Sequence, residues 1–501
     1  MNIRQAKEQV KYAVTAYLSK DSYGEYRIPI ERQRPVFLMG PPGVGKTEIM
    51  SQIADEMGIA LVSYSMTHHT RQSALGLPFI SEKNYDGAVC RTTEYTMSEI
   101  IASVYDVMEA TGKREGILFL DEINCISETL APSMLQFLQF KTFGRHRVPD
   151  GWVIVTAGNP PEYNSSVRDF DLATMDRLKR IDVEPDYKVW REYAENEGIH
   201  SAVLTYLDIR KDDFYSVQMT VDGREFVTAR GWVDLSEMMQ LYELNQIPVT
   251  KELISQYVHD DRIARDFSAY YDLFYRFRNE YDIKGILSGR IKKETVERAS
   301  DSAFDERLTV IRLITDSLMH DFREVSDDGR GLKQILNRIK SRNRELADGT
   351  REEAVQILDD LCEEQREEVN KDKAARSISS SKIRVSHGVS AMLSEIAGEL
   401  QKAGASESNV DVIRRYLAAR QAERKERAGR AGERLSNAFH FIESAYGDNE
   451  MLIFVTTLTE NRSSAEFIAT YGSKEYKKYN KNLLLYEREQ DLMDKIQEMD
   501  E

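Results

Sequence analysis

Cysteine is scarce in this 501-residue chain. The three present, Cys90, Cys125 and Cys362, lie far apart and without metal-ligand spacing. That excludes a disulfide framework and fits a reducing cytosol. Long apolar runs are also missing, since none approaches the roughly 18–20 residues of a membrane span. The opening stretch MNIRQAKEQVKYAV lacks the basic-then-apolar layout of a secretory signal, so a cytoplasmic location is expected. Positive charge is in deficit: 68 Lys and Arg face 84 Asp and Glu, giving a net charge of −16. A protein gripping duplex DNA usually carries a basic footprint, so this balance speaks against nucleic acid as the main partner. The most basic stretch, RRYLAARQAERKERAGR at 414–430, alternates sign at helical spacing and reads as a solvated helix face. No internal repeat is visible.

What is there is a soluble, packed composition, 41% hydrophobic and 30% charged, long enough for roughly two to four domains. Residues 3–18 read as an amphipathic helix with apolar Ile3, Val10, Ala13, Val14 and Leu18. From Val36 to about Asp186 the strand-like runs VFLM, ALVSYS, GILFL and WVIVTA alternate with helical stretches, which predicts a parallel sheet with helices on both faces. Helical periodicity then dominates from Trp190 to about Phe277 and from Asp305 to about Phe322. Residues 331–372 read as long charged helices, AARSISSSKIR as an exposed linker, and 384–446 as helical again. Near the end, YGSKEYKKYNK (471–481) reads either as a partner surface or as a solvated loop.

Chemistry concentrates in the first third. In FLMGPPGVGKTEIM (37–50), Gly40, Gly43, Gly45, Lys46 and Thr47 fit G-x-x-x-x-G-K-[ST] between a strand and a helix. Small residues let the backbone wrap phosphate oxygens, and the following helix N-terminus faces the anion. The Lys46 ammonium reaches the β- and γ-phosphates, and the Thr47 hydroxyl suits Mg²⁺. GILFLDEINCI (116–126) ends a buried strand on two carboxylates. Asp121 is expected to hold Mg²⁺ and Glu122 to polarise the attacking water. A further strand, VIVTAGNP, ends at Asn159, whose amide can orient that water or the γ-phosphate.

ATMDRLKRIDVEPD (173–186) puts Arg177 and Arg180 at i and i+3 near a helix end. Either could act across a subunit boundary as a transition-state finger, with Arg177 preferred. FVTARGWVDLSEMM (226–239) sets Arg230 at the start of a second-domain helix, from which it can reach the phosphates. His68-His69 lacks partners at ligand spacing and reads as a polar loop.

Together these motifs resemble the AAA+ ATPases, most closely their MoxR-type branch, over roughly residues 1–280. GPPGVGKTE is similar to Walker A, which assigns Gly40, Pro41, Pro42, Gly43, Val44, Gly45, Lys46, Thr47 and Glu48 to nucleotide binding. ILFLDEIN is similar to Walker B, AGNP to sensor 1, MDRLKR to the arginine-finger segment and TARGW to sensor 2. THHTRQSALGLPFISEKNYDGAVC (67–90) and FKTFGRHRVPDGW (140–152) resemble hairpin insertions of that branch. Met-Asp-Arg-Leu stands where the family often has Leu-Asp-Arg-Phe, which leaves the finger open between Arg177 and Arg180.

The resemblance implies an α/β P-loop core (1–186), an all-α lid (187–285) and a mostly α-helical extension (286–501). It implies ATP and Mg²⁺ as cofactors and a homo-oligomer, expected as a hexameric ring. It also implies a chaperone-like role on a protein partner carrying a von Willebrand factor A-type domain. A nucleic-acid motor or restriction-type translocase is the alternative, kept open by Arg71, Arg145, His146 and Arg147 in the insertions. A nucleotide-gated scaffold is a third reading, which Glu122 argues against.

Overall fold

The computed structural model describes residues 1–481 apart from 69–73, 75, 86–87, 164–166, 168–169, 221–222, 375–379 and 405–406. Two compact units emerge, one built chiefly of Met1–Val189 with Thr228–Arg230, the other of Trp190–Val227 and most of the chain beyond Gly231.

The first unit is built on a five-stranded parallel sheet. Its strands are β1 (Val36–Met39), β2 (Ala60–Ser65), β5 (Gly116–Asp121), β8 (Trp152–Gly158) and β9 (Lys179–Asp182), in the order β2-β5-β8-β1-β9. Both faces are covered, and the alternation along each strand shows why. Phe37, Leu118, Leu120, Trp152 and Ile154 enter one core. Val36, Leu38, Ile117, Phe119, Val153 and Val155 enter the other, together with Ala6, Val10, Ala13 and Val14 of the helix Ile3–Tyr17. Successive strand side chains point to opposite faces, so strands buried on both sides read as continuous apolar runs.

Four of the five strands stand where the sequence runs predict them. β9 is the addition. LKRIDV buries Leu178, Ile181 and Val183 only, because it forms an edge pairing with β1 on one side.

Two antiparallel hairpins are inserted into this unit, β3 (Pro78–Tyr85) with β4 (Ala88–Tyr95), and β6 (Thr142–Phe143) with β7 (His146–Arg147). Arg71 and His69 lie outside the described residues, as do 375–379 of the expected linker; the rest of that stretch is helical, with Ala374 ending one helix and Ser380 starting the next.

The second unit is mostly helical, with one two-stranded hairpin, β10 (Ser216–Thr220) with β11 (Gly223–Val227). Its backbone is a 38-residue helix, Phe304–Ser341. Sequence periodicity suggests two separate helical stretches around Asp-Asp-Gly-Arg-Gly (327–331), yet the helix runs through. The glycines serve close approach instead: a Cβ on Gly329 would meet the Arg424 guanidinium at 2.6 Å. The helix joins two cores, giving Val310, Ile314, Leu318 and Phe322 to one and Leu332, Ile335 and Ile339 to the other. The 37-residue helix Asn409–Ala445 bridges the same two cores. Among the described residues no helix is long and apolar enough to cross a membrane. Two of the tyrosines near the end pack inward while Tyr471 stays exposed: Tyr479 stacks on Phe439 with ring centroids 5.8 Å apart, and Tyr476 packs against the same core.

Candidate nucleotide-binding site

Open α/β sheets bind ligands beyond the carboxyl ends of their strands, where the strand order reverses. Here β1 sits between β8 and β9 while β2 lies at the far edge. The C-terminal ends of β1, β5 and β8 carry the phosphate loop, Asp121-Glu122 and Asn159, so topology converges the three motifs on one crevice.

The phosphate loop is built from tight contacts. Gly40 has no room for a side chain, since a Cβ there would meet the Val183 carbonyl oxygen at 2.6 Å. Gly43 takes φ +76°, a left-handed conformation that favours glycine, and packs against Thr228 and Arg230. Val44 packs against the core beneath, and Glu48 opens the helix Glu48–Met57. Thr47 caps this helix without a side-chain cap bond. Its hydroxyl instead donates to Asp121 Oδ2 at 2.8 Å, placing two oxygen ligands side by side for a hard cation.

Lys46 is buried, 8% exposed. Its ammonium donates to the carbonyls of Gly40 and Pro41 at 2.7 and 2.9 Å and to Asn159 Oδ1 at 2.9 Å. Burial pulls its pKa down to about 8; Arg230 adds to the depression, while Asp121 and Glu122 oppose it. The sign of the consequence is clear. In the free protein Lys46 is charged below about 8 and loses its proton as pH rises through that value. A bound polyphosphate stabilises the ammonium, so nucleotide affinity should fall as pH climbs past 8. Calorimetry at pH 8.5 in two buffers of different ionisation enthalpy should show proton uptake on binding, up to about three-quarters of a proton per site for a pKa of about 8; no uptake would contradict the assignment.

Asp121 and Glu122 follow the buried residues Ile117–Leu120 of β5. Glu122 adopts φ 56°, ψ 36°, a left-handed conformation that costs a non-glycine residue roughly 1–2 kcal/mol. Its N–H donates to Asp121 Oδ1 at 2.9 Å, which helps hold the turn. Glu122 Oε2 accepts hydrogen bonds from Ser65 at 3.1 Å and Thr67 at 2.9 Å.

These two hydroxyls belong to the candidate site, and motif reading misses them. The available signal was a hydroxyl ending β2, which pairs Ser65 with Asp121 in register. Asn124 is another: it is 1% exposed and its Nδ2 donates to the Asn159 carbonyl at 2.8 Å, fixing the end of β8.

The structure separates the two arginines. Arg177 follows the short helix Leu172–Met175 and is exposed. Arg180 lies on β9 and pairs with Asp182 at 2.7 Å, so the two are not one turn apart on a helix. Among the described residues no hydrogen bond or ion pair joins either arginine to Lys46, Thr47, Asp121 or Glu122. Arg230 stands in the first unit against Gly43.

A glycine loop on a strand-to-helix turn, a buried lysine at its end and a threonine–aspartate pair beside it define a P-loop nucleotide site. Residues 36–178, which hold all of these, match the family model of the ATPase family associated with various cellular activities (AAA). The match supports an AAA-type ATPase domain over this segment, and such a domain implies nucleotide binding. No curated protein matches the chain.

Proposed function

We propose that this protein is a Mg-ATP-hydrolysing AAA+ ATPase of MoxR type, assembling as a hexameric ring in the cytoplasm and remodelling or activating a protein partner. Residues 1–186 would form its α/β core, 187–285 its lid and 286–501 an extension. The observation that carries the hydrolytic reading is Glu122, set beside the Thr47–Asp121 pair and held by two hydroxyls.

Lys46 exchanges its carbonyl contacts for β- and γ-phosphate oxygens. The loop from Gly40 to Gly45, with Pro41, Pro42 and Val44, wraps the phosphates, and Glu48 follows at the helix start. Thr47 and Asp121 would hold Mg²⁺, which when bound neutralises charge on the transferring phosphoryl group. Glu122, once Ser65 and Thr67 release it, orients the attacking water and takes up its proton. Asn159, steadied by Asn124, orients the same water, and Arg230 reaches the phosphates. Arg177, exposed at the surface, would reach a neighbouring subunit's site.

In small GTPases an arginine supplied in trans gives about a thousandfold or more in rate. Arg177→Ala should therefore bind ATP normally and hydrolyse it poorly. Mixing it with Lys46→Ala chains should restore part of the activity; absence of rescue at every ratio moves the finger to Arg180 or into the same chain.

A protein partner is favoured by the insertions. Ile80 and Val89 on the β3–β4 hairpin are 73% and 68% exposed, and exposed apolar side chains suit a protein contact better than a phosphate backbone. Two of the basic residues that would grip nucleic acid are occupied among the described residues: Arg145 pairs with Glu94 at 3.0 Å, and Arg147 with Glu31 at 2.7 Å. The inward packing of Tyr476 and Tyr479 shifts the docking surface away from the tyrosine-rich end. The partner is proposed to carry a von Willebrand factor A-type domain.

The test is co-purification of Glu122→Gln protein with and without ATP, beside hydrolysis assays with added duplex and single-stranded DNA. ATP-dependent capture of such a partner without DNA stimulation is expected. Several-fold DNA stimulation with no ATP-dependent partner would overturn the reading in favour of a nucleic-acid motor.

A further inference from the structure

Within the helical unit a cavity of about 720 Å³ opens between the starts and ends of several helices, a volume in the range of small-molecule sites. Its apolar wall includes Phe274, Leu313 and Met319, and its charged groups divide into two kinds. The carboxylates face cationic or N–H partners, although Asp316 Oδ2 accepts no hydrogen bond among the described residues. Glu195 accepts from Arg312 at 2.7 Å, and Asp316 faces Arg312 Nε at 3.2 Å. Glu243 accepts from His200, Tyr271 and Arg278 at 2.7–3.0 Å. Asp282 Oδ1 accepts from the Gly285 N–H at 2.9 Å.

Two cations are left over. Among the described residues Arg323 makes no hydrogen bond and no ion pair, although it is half-buried. Burial and the nearby Arg384 both pull its guanidinium below the ordinary arginine value, and Asp327 and Asp316 offset this only in part. Asp327 is itself committed to Arg384 at 3.2 Å. The guanidinium packs over Gly198, where an added Cβ would meet Nη1 at 2.8 Å. The helix Tyr187–Glu197 ends beside it, and the Glu197 carboxylate attracts the guanidinium at range without forming an ion pair among the described residues. Lys284, on the exposed turn after Asp282, also makes no ion pair among the described residues. Seven residues separate Asp316 from Arg323, about 10 Å along a helix, so Asp316 attracts the guanidinium at range rather than pairing with it.

A half-buried guanidinium with no carboxylate in direct contact is costly unless something supplies one. Arginine's planar fork also matches oxyanions in bidentate fashion. We propose that this cavity binds a small organic oxyanion, its charged group held by Arg323 and Lys284 and its apolar body against Phe274, Leu313 and Met319. This site is separate from the phosphate loop and does not rest on the hydrolytic reading.

The test is calorimetric titration of the full chain carrying Lys46→Ala, to disable the phosphate loop, with phenyl phosphate, benzoate and benzyl alcohol. At least one anion should bind tenfold or more tightly than the neutral alcohol. Binding of phenyl phosphate alone would assign a phosphate ester, and binding of both anions any oxyanion. Adding Arg323→Gln should weaken the anion tenfold or more, and adding Lys284→Gln several-fold. Lys284 is exposed, so its variant decides the matter if Arg323→Gln fails to fold. Absence of binding by both anions, or affinity unchanged by these substitutions, overturns the proposal.

Discussion

Glu122→Gln should bind ATP with near wild-type affinity and turn it over at least a hundredfold more slowly. The amide keeps the size of the carboxylate and can still meet the Ser65 and Thr67 hydroxyls, which stand at 3.1 and 2.9 Å from Oε2. It cannot accept a proton from water. A change that lowers turnover but leaves binding intact has removed an interaction made only in the transition state, and general-base catalysis commonly contributes about 10²–10⁴-fold. The phosphate loop, Lys46 and the Thr47–Asp121 pair are untouched, so the ground-state complex should survive. Fluorescent-nucleotide titration and phosphate-release kinetics on the same preparation separate the two quantities. Unchanged turnover would place the base elsewhere.

Lys46→Ala should lose nucleotide binding altogether in ordinary titrations. Lys46 is the positive side chain buried at the loop's end, and its three acceptors are two loop carbonyls and Asn159. Removing the ammonium takes away a charge-assisted contact to the phosphates. It also leaves the Gly40 and Pro41 carbonyls without the ammonium from which they accept. The fold should survive, because the core on either face of the sheet does not include Lys46. Near wild-type ATP affinity in a folded variant would show that the loop is not the phosphate site.

The parts of this site that are local in the chain were legible in it. A glycine loop must follow a strand and precede a helix to work, and GPPGVGKT does both within a dozen residues. Asp121 and Glu122 stood out because β5 is buried on both faces, and two carboxylates after Ile117–Leu120 break that pattern. What crosses the sheet was not legible. Ser65 and Thr67 reach Glu122 only because β2 pairs with β5 in the register that sets Ser65 against Asp121, and that register is tertiary information. β9 was hidden because an edge strand needs few apolar residues, and KRID carries only Ile181. Arg180 consequently read as helical, at one turn from Arg177. In the helical unit, the stretch between Phe322 and Gly331 was left out of either helix although one helix runs through it, and Arg323 gave no signal because its lack of an ion pair depends on how neighbouring carboxylates are already placed.

The central claim is that the residues converging on β1, β5 and β8 hydrolyse Mg-ATP. Its most direct measurement is steady-state phosphate release by the purified full chain over a range of protein concentrations. Wild-type, Glu122→Gln and chelator-treated samples should be run side by side. The account predicts release that requires Mg²⁺, rises per chain as assembly brings Arg177 to a neighbouring site, and falls at least a hundredfold in Glu122→Gln. Release that is absent at every concentration, or equal in wild type and Glu122→Gln, would contradict it.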